Sequence, residues 1–172
     1  MIDFVNTVDP DEPLDELSTP EALAGWLVGR GLLSTASLPL RERDLRQAVR
    51  LREALRAEML AHNGADANAK AAAELDEVAR RGELGVRFRA DGSVPLAPRA
   101  DGFAGALAQL IVPVAEATRD RTWQRVKACR AGDCQWAFYD HSRNRSGVWC
   151  DMAVCGNRAK VRAHRRRGSQ PR

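Results

Sequence analysis

The sequence predicts a mainly helical α+β protein. A helical N-terminal domain with a small β-hairpin precedes a cysteine-bearing module made of a second hairpin and a C-terminal helix. Apolar residues recur at helical spacing through most of residues 1–120, a short stretch near residue 90 alternates instead, and all four cysteines lie after residue 120. With 172 residues, 44% hydrophobic and 29% charged, the chain has the composition of a globular protein.

The helical periodicity predicts four helices in the N-terminal domain, over residues 20–31, 40–63, 66–82 and 103–118. Thr19 supplies an N-cap for the first helix, and Pro20 suits its first turn. Asn63-Gly64 is expected to end the second helix, and Asp66 to cap the third. Pro113 is expected to end or kink the fourth, because proline lacks the N–H that continues a helix.

The stretch around residue 90 has the two-residue period of β-strands. Val86 and Phe88 alternate with arginines before Asp91-Gly92, a dipeptide typical of a type I′ hairpin turn, and the alternation resumes after it. Pro95 cannot donate a ladder hydrogen bond and therefore places the second strand at a sheet edge.

No residue pattern before residue 120 is typical of a catalytic site. His62 lies near a predicted helix end without a suitably spaced partner, so a capping or exposed role is expected. The acidic run over residues 9–16 lacks the pattern of a calcium loop and is interpreted as a solvated loop. Arginines between Arg41 and Arg56 are interleaved with acidic residues, which favours ion pairs in solvent. We therefore expect a protein that is not an enzyme.

Charge is divided unevenly along the chain. Residues 1–120 hold 14 Lys+Arg and 20 Asp+Glu, a net of −6, whereas residues 121–172 hold 13 and 3, a net of +10. Clustered cations attract polyanions at long range. We place the domain boundary between residues 120 and 121. No apolar stretch is long enough to span a bilayer and the start of the chain does not resemble a secretory signal, so a cytoplasmic protein without membrane contact is expected.

The cysteines form two matched pairs. Cys129 and Cys134 make one C-x4-C pair, and Cys150 and Cys155 make another after a 15-residue spacer. Under reducing conditions this arrangement indicates one tetrahedral zinc ion held by four thiolates, a closed and therefore structural site. A module of about 45 residues rarely folds by burial alone, so it is expected to need the metal, while the helical domain keeps its own core.

Two alternatives fit the same cysteines: disulfide or redox pairs, and an iron–sulfur cluster. His141 and His164 could each replace a cysteine ligand, although the paired spacing does not require them. Gly132 and Gly156 are expected to let the two ligand loops fold back on the metal.

The segments around the cysteines indicate how the module folds. Trp123, Trp136 and Trp149 flank the ligands and are expected to pack into a small core rather than to stack on bases. Residues 142–147 form a polar turn, and residues 157–167 have helical composition. A knuckle, a hairpin and a ligand-bearing helix together describe a treble-clef-like zinc finger.

The sequence at this point resembles known families. Cys155-Gly156-Asn157-Arg158 is the signature of the CGNR zinc fingers, and residues 138–152 resemble that family's aromatic-Asp-x-Ser-x-Asn-x-Ser and Trp-Cys-x-Met pattern. Phe4-Val5-Asn6-Thr7 resembles the opening of the ABATE domain, which usually precedes this finger. Such proteins are regarded as stress-induced transcriptional regulators in bacteria, and the resemblance implies zinc binding by the four cysteines and DNA binding. Gly147 departs from the pattern, because the family often has a basic residue there.

Basic residues on the last helix form the expected nucleic-acid surface: Arg158, Lys160, Arg162, Arg165, Arg166 and Arg167. Arg158, Arg162 and Arg165 can share one helix face, and Arg143 and Arg145 on the polar turn can extend the patch.

The preference for DNA over RNA rests on the resemblance. Asn157 and Arg158 are expected either to read bases or to support the zinc loop, with Arg158 paired to Asp140 or Asp151. A finger that docks an acidic protein, an RNA-binding protein and an enzyme with a small-molecule pocket are the alternatives. A small-molecule effector could bind the N-terminal domain, and the chain could be a monomer or a homodimer.

Overall fold

The computed structural model describes residues 1–9, 14–37 and 39–168. The helices are α1 (Ile2–Val5), α2 (Pro20–Gly29), α3 (Glu42–Ala61), α4 (Ala69–Arg81), α5 (Gly102–Arg119) and α6 (Asn157–Gly168). The strands are β1 (Gly85–Val86), β2 (Leu96–Ala97), β3 (Val126–Ala128) and β4 (Ala137–Tyr139). They form two antiparallel hairpins, β1–β2 and β3–β4. The mainly helical α+β class is therefore confirmed.

The hydrophobic core is built mainly from α1, α2, α3 and α5. Phe4, Leu27, Leu55 and Leu107 are fully buried in it, and burial of each such side chain stabilises the fold by about 1.5–3 kcal/mol. Helix α4 packs against α3 and α5 through Val78. Within the described part of the chain, no helix is both long enough and apolar enough to cross a membrane.

The second hairpin belongs to the same core as the helices. Strand β3 lies against α3, and β4 lies against α1. Val126, Ala128 and Ala137 are buried in the cluster that also contains Phe4. The apolar core thus continues across residues 120 and 121, where the charge pattern predicts a domain boundary.

The four predicted helices form, with differences at their ends. Asn68, not Asp66, caps α4: its side chain accepts hydrogen bonds from the backbone N–H groups of the first helical turn. Helix α5 runs through Pro113 to Arg119, with Ile111 and Val114 packed on the core on either side of the proline. Helix α1 is too short to show periodicity, and the sequence did not predict it.

The turn between β1 and β2 differs from the predicted type I′ turn. The backbone N–H of Gly92 donates to the carbonyl of Arg89, and Arg89 N–H donates to Ser93. Of Asp91 and Gly92, only Gly92 has a positive φ, +81°. A type I′ turn needs positive φ at both central residues, so this is a type I turn followed by a left-handed glycine.

Two arginines expected in solvent are buried. Arg52 and Arg56 on α3 are each only 3% exposed. Arg52 forms a two-bonded pair with Asp15, at 2.7 and 2.8 Å. The interpretation of residues 9–16 as a solvated loop is wrong for Asp15, while residues 10–13 lie outside the described part of the chain. A buried guanidinium needs a paired carboxylate, and that need explains the position of Asp15.

Candidate metal centre and the surface around it

The four cysteines meet at one point of the fold. Their Sγ atoms all lie within 4.8 Å of one another, and all four are free thiols. The Sγ–Sγ distance is 3.6 Å between Cys134 and Cys150 and 3.8 Å between Cys150 and Cys155. Tetrahedral ligation with Zn–S bonds of about 2.3 Å places sulfur atoms about 3.8 Å apart. The cluster therefore has the dimensions of a four-thiolate zinc site.

The first pair of ligands lies on a knuckle at the end of the β3–β4 hairpin. Cys129 directly follows β3, and its N–H donates to the Trp136 carbonyl. The N–H groups of Cys134 and Gln135 both donate to the Ala131 carbonyl, which folds the loop back. Gln135 has a φ of +51°, whereas Gly132 does not have positive φ. The left-handed residue of this knuckle is Gln135, so the role expected of Gly132 is wrong.

A single wide helical turn, Met152–Gly156, follows Cys150, contains Cys155 and leads into α6. Asp151 caps this turn by accepting hydrogen bonds from the N–H groups of Ala153 and Val154. A Cβ atom at Gly156 would overlap Met152 Sδ and lie 3.1 Å from Trp149 Cδ1. Glycine at this position therefore allows Met152 and Trp149 to pack closely, and it does not serve a positive φ.

The residues next to Cys155 support the metal loop. Asn157 Nδ2 donates to the Ala153 carbonyl across the turn. Arg158 Nη2 lies 3.3 Å from Cys155 Sγ, and its guanidinium also lies 3.6 Å from Asp133. Sequence reasoning missed Asp133, because the residue lies inside the first cysteine pair and faces α6 only after folding.

The thiols have different proton affinities in this chain. Burial raises the pKa of Cys134 to about 11 and also raises the pKa of Cys150. Burial acts in the same direction on Cys155, but hydrogen bonds from Arg158 and the neighbouring thiols outweigh it and lower the pKa of that thiol. A metal must displace the protons of the first two, whereas Arg158 favours the thiolate at the third.

Asp140 orders the loop between the two cysteine pairs. Its buried carboxylate accepts hydrogen bonds from Lys127 Nζ at 2.7 Å and from the Ser142 and Gly147 N–H groups at 2.9 Å. Burial alone would raise the pKa of Asp140, but these bonds hold it well below its usual range. A Cβ atom at Gly147 would lie 2.6 Å from Asp140 Oδ1, so a side chain at Gly147 would displace the carboxylate.

The segment around α1 forms hydrogen bonds with the knuckle that carries Cys129 and Cys134. Asn6 pairs with the backbone of Ala137 in both directions, donating to its carbonyl at 2.9 Å and accepting from its N–H at 2.8 Å. Arg56 donates to the carbonyl groups of Val5 and Gln135. The Phe4-Val5-Asn6-Thr7 segment is thus joined to the hairpin that carries the first two ligands.

The end of α3 makes a second set of contacts with the finger. Buried Asn63 donates to the carbonyl groups of Ala128 and Val148, at 2.8 and 2.7 Å. Arg130 donates in return to the Asn63 carbonyl at 2.9 Å. His62, which is half-buried, holds the expected cap position at the end of α3, and its Nδ1 also lies 2.8 Å from the Val126 carbonyl of the finger.

Two of the three tryptophans near the cysteines are packed against apolar residues, and the third is partly exposed. Trp123 packs on the main core and contacts His62 edge-on, and Trp149 packs on the cysteine cluster. Trp136 remains 36% exposed, which departs from the expected small core.

Basic residues from the sequence prediction lie in two places. Arg158, Arg162 and Arg165 line one groove on α6, where Arg162 pairs with Asp133 at 3.0 Å. Lys160 is exposed on α6, and Arg143 and Arg145 are exposed on the 142–147 turn. Residues 166 and 167 lie in α6, with side chains outside the described part of the structure.

Comparison with protein families assigns both parts of the chain. Residues 1–130 match the family described as "ABATE: Putative stress-induced transcription regulator". The chain belongs to the ABATE family. Residues 125–168 match the CGNR zinc finger, so the cysteine cluster is the structural zinc site of such a finger. No curated protein matches the chain. The ABATE match includes β3 and Cys129, which agrees with the packing of this strand into the N-terminal core.

Proposed function

We propose that this ABATE-family protein is a bacterial transcription regulator that binds duplex DNA through its CGNR finger and has no catalytic activity. The observation that carries the proposal is the basic surface of the finger. Arg158, Arg162 and Arg165 share a groove on α6, the exposed arginines of the 142–147 turn lie on the same module, and the net charge of residues 121–172 is +10. Clustered cations of this kind favour binding to DNA, which is a polyanion.

The metal site supports a structural rather than a catalytic role. Four thiolates complete the tetrahedron around zinc and leave no position for water or substrate. In this proposal the metal positions α6, because Cys155 lies two residues before the start of that helix. A DNA-binding regulator of this kind would act in the cytoplasm.

The duplex-DNA assignment is tested by the salt dependence of binding to the zinc-loaded protein. Replacing Arg143 and Arg145 together by Ala should weaken binding, and it should flatten the slope of log affinity against log salt by about two, close to 0.9 per phosphate contact. The matched control replaces Arg87 and Arg89, two exposed arginines of the β1–β2 segment, and should leave the slope unchanged.

The outcome also separates the alternatives. Equal affinity for duplex DNA and an acidic protein of similar charge would favour a protein-interaction finger. Preference for single-stranded RNA would favour an RNA-binding protein. Absence of salt-dependent DNA binding would overturn the proposal.

An effector site is proposed beside α2. A cavity of about 330 Å³ is lined mainly by apolar residues: Pro20, Glu21, Ala24, Gly25, Val28, Thr35, Pro39 and Leu40. Its size and lining suit a small apolar molecule. Thermal denaturation with a panel of such molecules should raise the midpoint for a true ligand, and Gly25→Leu should abolish that shift by filling the cavity.

A further inference from the structure

The groove on α6 contains aliphatic side chains as well as arginines. Val154 and Val161 line it and are 53% and 50% exposed. Val161 lies on α6 at three- and four-residue intervals from Arg158 and Arg165, which places these three side chains on one face of the helix. Val154, in the turn before α6, lines the same groove. The groove is open and has a volume of about 600 Å³.

Val154 and Val161 therefore add exposed apolar surface to a groove that also carries three arginines. Charge determines the class of partner. Arg158, Arg162 and Arg165 surround the valines, and Asp133 is the acidic residue among those that line the groove. An anionic partner that also presents apolar groups is complementary to this surface.

Asp133 distinguishes a base-reading face from a phosphate-binding face. Its carboxylate pairs with Arg162 at 3.0 Å and with Arg158 at 3.6 Å. A phosphate entering this groove would have to compete with that carboxylate and would be repelled by it. Base edges are neutral, and guanine offers acceptors to an arginine while cytosine offers a donor to a carboxylate.

We infer that this groove reads base edges in the DNA major groove, with Val161 and Val154 contacting the C5-methyl groups of thymine. That methyl is the apolar group that the major groove presents. The inference rests on the proposed DNA binding and adds a specificity to it: thymine lies next to the bases that the groove arginines contact.

Deoxyuridine tests the inference, since it differs from thymidine by this methyl alone. A duplex is first selected from a random-sequence pool by its affinity for the zinc-loaded protein, and it is then synthesised with deoxyuridine in place of thymidine. The protein should bind the thymidine duplex more tightly, by about fourfold for each methyl that it buries. Val161→Ala should remove most of this ratio and leave the salt slope unchanged, because no charge is altered.

Val94→Ala is the matched control, because Val94 is a valine of similar exposure, 45%, in the β1–β2 segment. It should retain the thymidine preference. Equal affinity for the two duplexes, with salt-dependent binding intact, would overturn the inference and leave the proposed regulator standing; the groove would then fit a protein partner. A thymidine preference that persists in both Val161→Ala and Val154→Ala would overturn it as well, as would failure to enrich any duplex. Loss of all salt-dependent DNA binding would instead refute the proposed function.

Discussion

Lys127 and Asp140 form a buried ion pair that controls the loop between the two halves of the zinc site. Their side chains are 6% and 2% exposed. Lys127 Nζ also donates to the carbonyl groups of Arg145 and Gly147, so one amine satisfies three acceptors. A buried ion pair of this kind stabilises the folded state little more than apolar packing would. Removing one partner, however, leaves the other charge buried without a counter-charge.

Lys127→Met should therefore destabilise the protein by about 3–5 kcal/mol. Urea unfolding of the zinc-loaded protein measures the change. The control is Asp120→Asn, which removes one partner of the exposed Arg119–Asp120 pair and should cost less than about 1 kcal/mol. Similar losses for the two variants would contradict the buried-charge argument.

The same pair predicts a pH dependence. The folded-state pKa of Asp140 lies below the ordinary aspartate value of 3.8, so the ion pair stabilises the folded state above that pH. The contribution declines as the pH falls below about 4, when the unfolded chain binds the proton more readily. Asp140→Asn should lower stability at neutral pH and show a smaller loss on acidification, measured by the same unfolding experiment.

At the residue scale, the sequence predicted the ligands but not the residues that hold them. Cys129, Cys134, Cys150 and Cys155 are identified by their spacing alone. Asn63 and Asn6 are not, because their partners are backbone groups of Ala128, Val148 and Ala137, far along the chain. Long-range contacts to backbone leave no local pattern. The contact of His62 with the Val126 carbonyl was not predicted for the same reason.

At the element scale, substitution of two helix glycines by alanine is expected to change stability in opposite directions. Gly25 lies inside α2, and a Cβ added there would meet nothing within 4 Å. Gly82 caps α4, and a Cβ added there would overlap Ala108 Cβ on α5. The first glycine weakens its helix without a packing role in the protein itself, whereas the second permits two helices to approach.

Gly25→Ala should stabilise the protein by about 0.5–1 kcal/mol, because alanine loses less conformational freedom on folding. Gly82→Ala should destabilise it by about 1–3 kcal/mol through overpacking of α4 against α5. Thermal denaturation of the two variants side by side makes each the control for the other. A rise in the midpoint for Gly82→Ala would show that α4 and α5 can separate without cost.

The helices could be predicted where the apolar residues repeat at helical spacing over several turns. The apolar spacing located α2, α3, α4 and α5, whereas their ends depended on choices among nearby polar residues, such as Asn68 rather than Asp66. The β1–β2 turn was misassigned because Asp-Gly suits more than one turn type. The burial of Arg52 and Arg56 was also missed, since an apolar pattern cannot show that an arginine is paired inside a core.

At the scale of the whole molecule, charge and packing divide the chain differently. The sign of the charge changes near residue 120, which predicts two units. The core instead includes β3 and β4, and Asn6, Arg56 and Asn63 bond to the finger backbone. The charge pattern indicates which surface faces a partner. Whether the two parts unfold together depends instead on the buried contacts that they share.

Loss of zinc should therefore destabilise the entire chain rather than the finger alone. Cys150→Ser removes one thiolate from a site whose apparent binding free energy is about 10–16 kcal/mol in small zinc modules. Because the β3–β4 hairpin forms part of the main core, thermal unfolding of this variant should show one transition at a lower temperature, with helical and aromatic signals changing together. A helical body that unfolds at the unaltered temperature after the finger has melted would show two independent units.

The coupling must also act in the other direction, since linkage between two sites is reciprocal. Asn6→Ala removes both bonds to Ala137 without touching a ligand, and it should lower the equilibrium affinity for zinc, measured by competition with a chelator. Asn68→Ala is the matched control: it removes the α4 cap, costs about 1 kcal/mol, and leaves the finger's contacts intact. If the zinc affinity falls equally in both variants, general destabilisation explains the effect. If it falls only in Asn6→Ala, the Asn6–Ala137 bonds couple the metal site to the N-terminal segment.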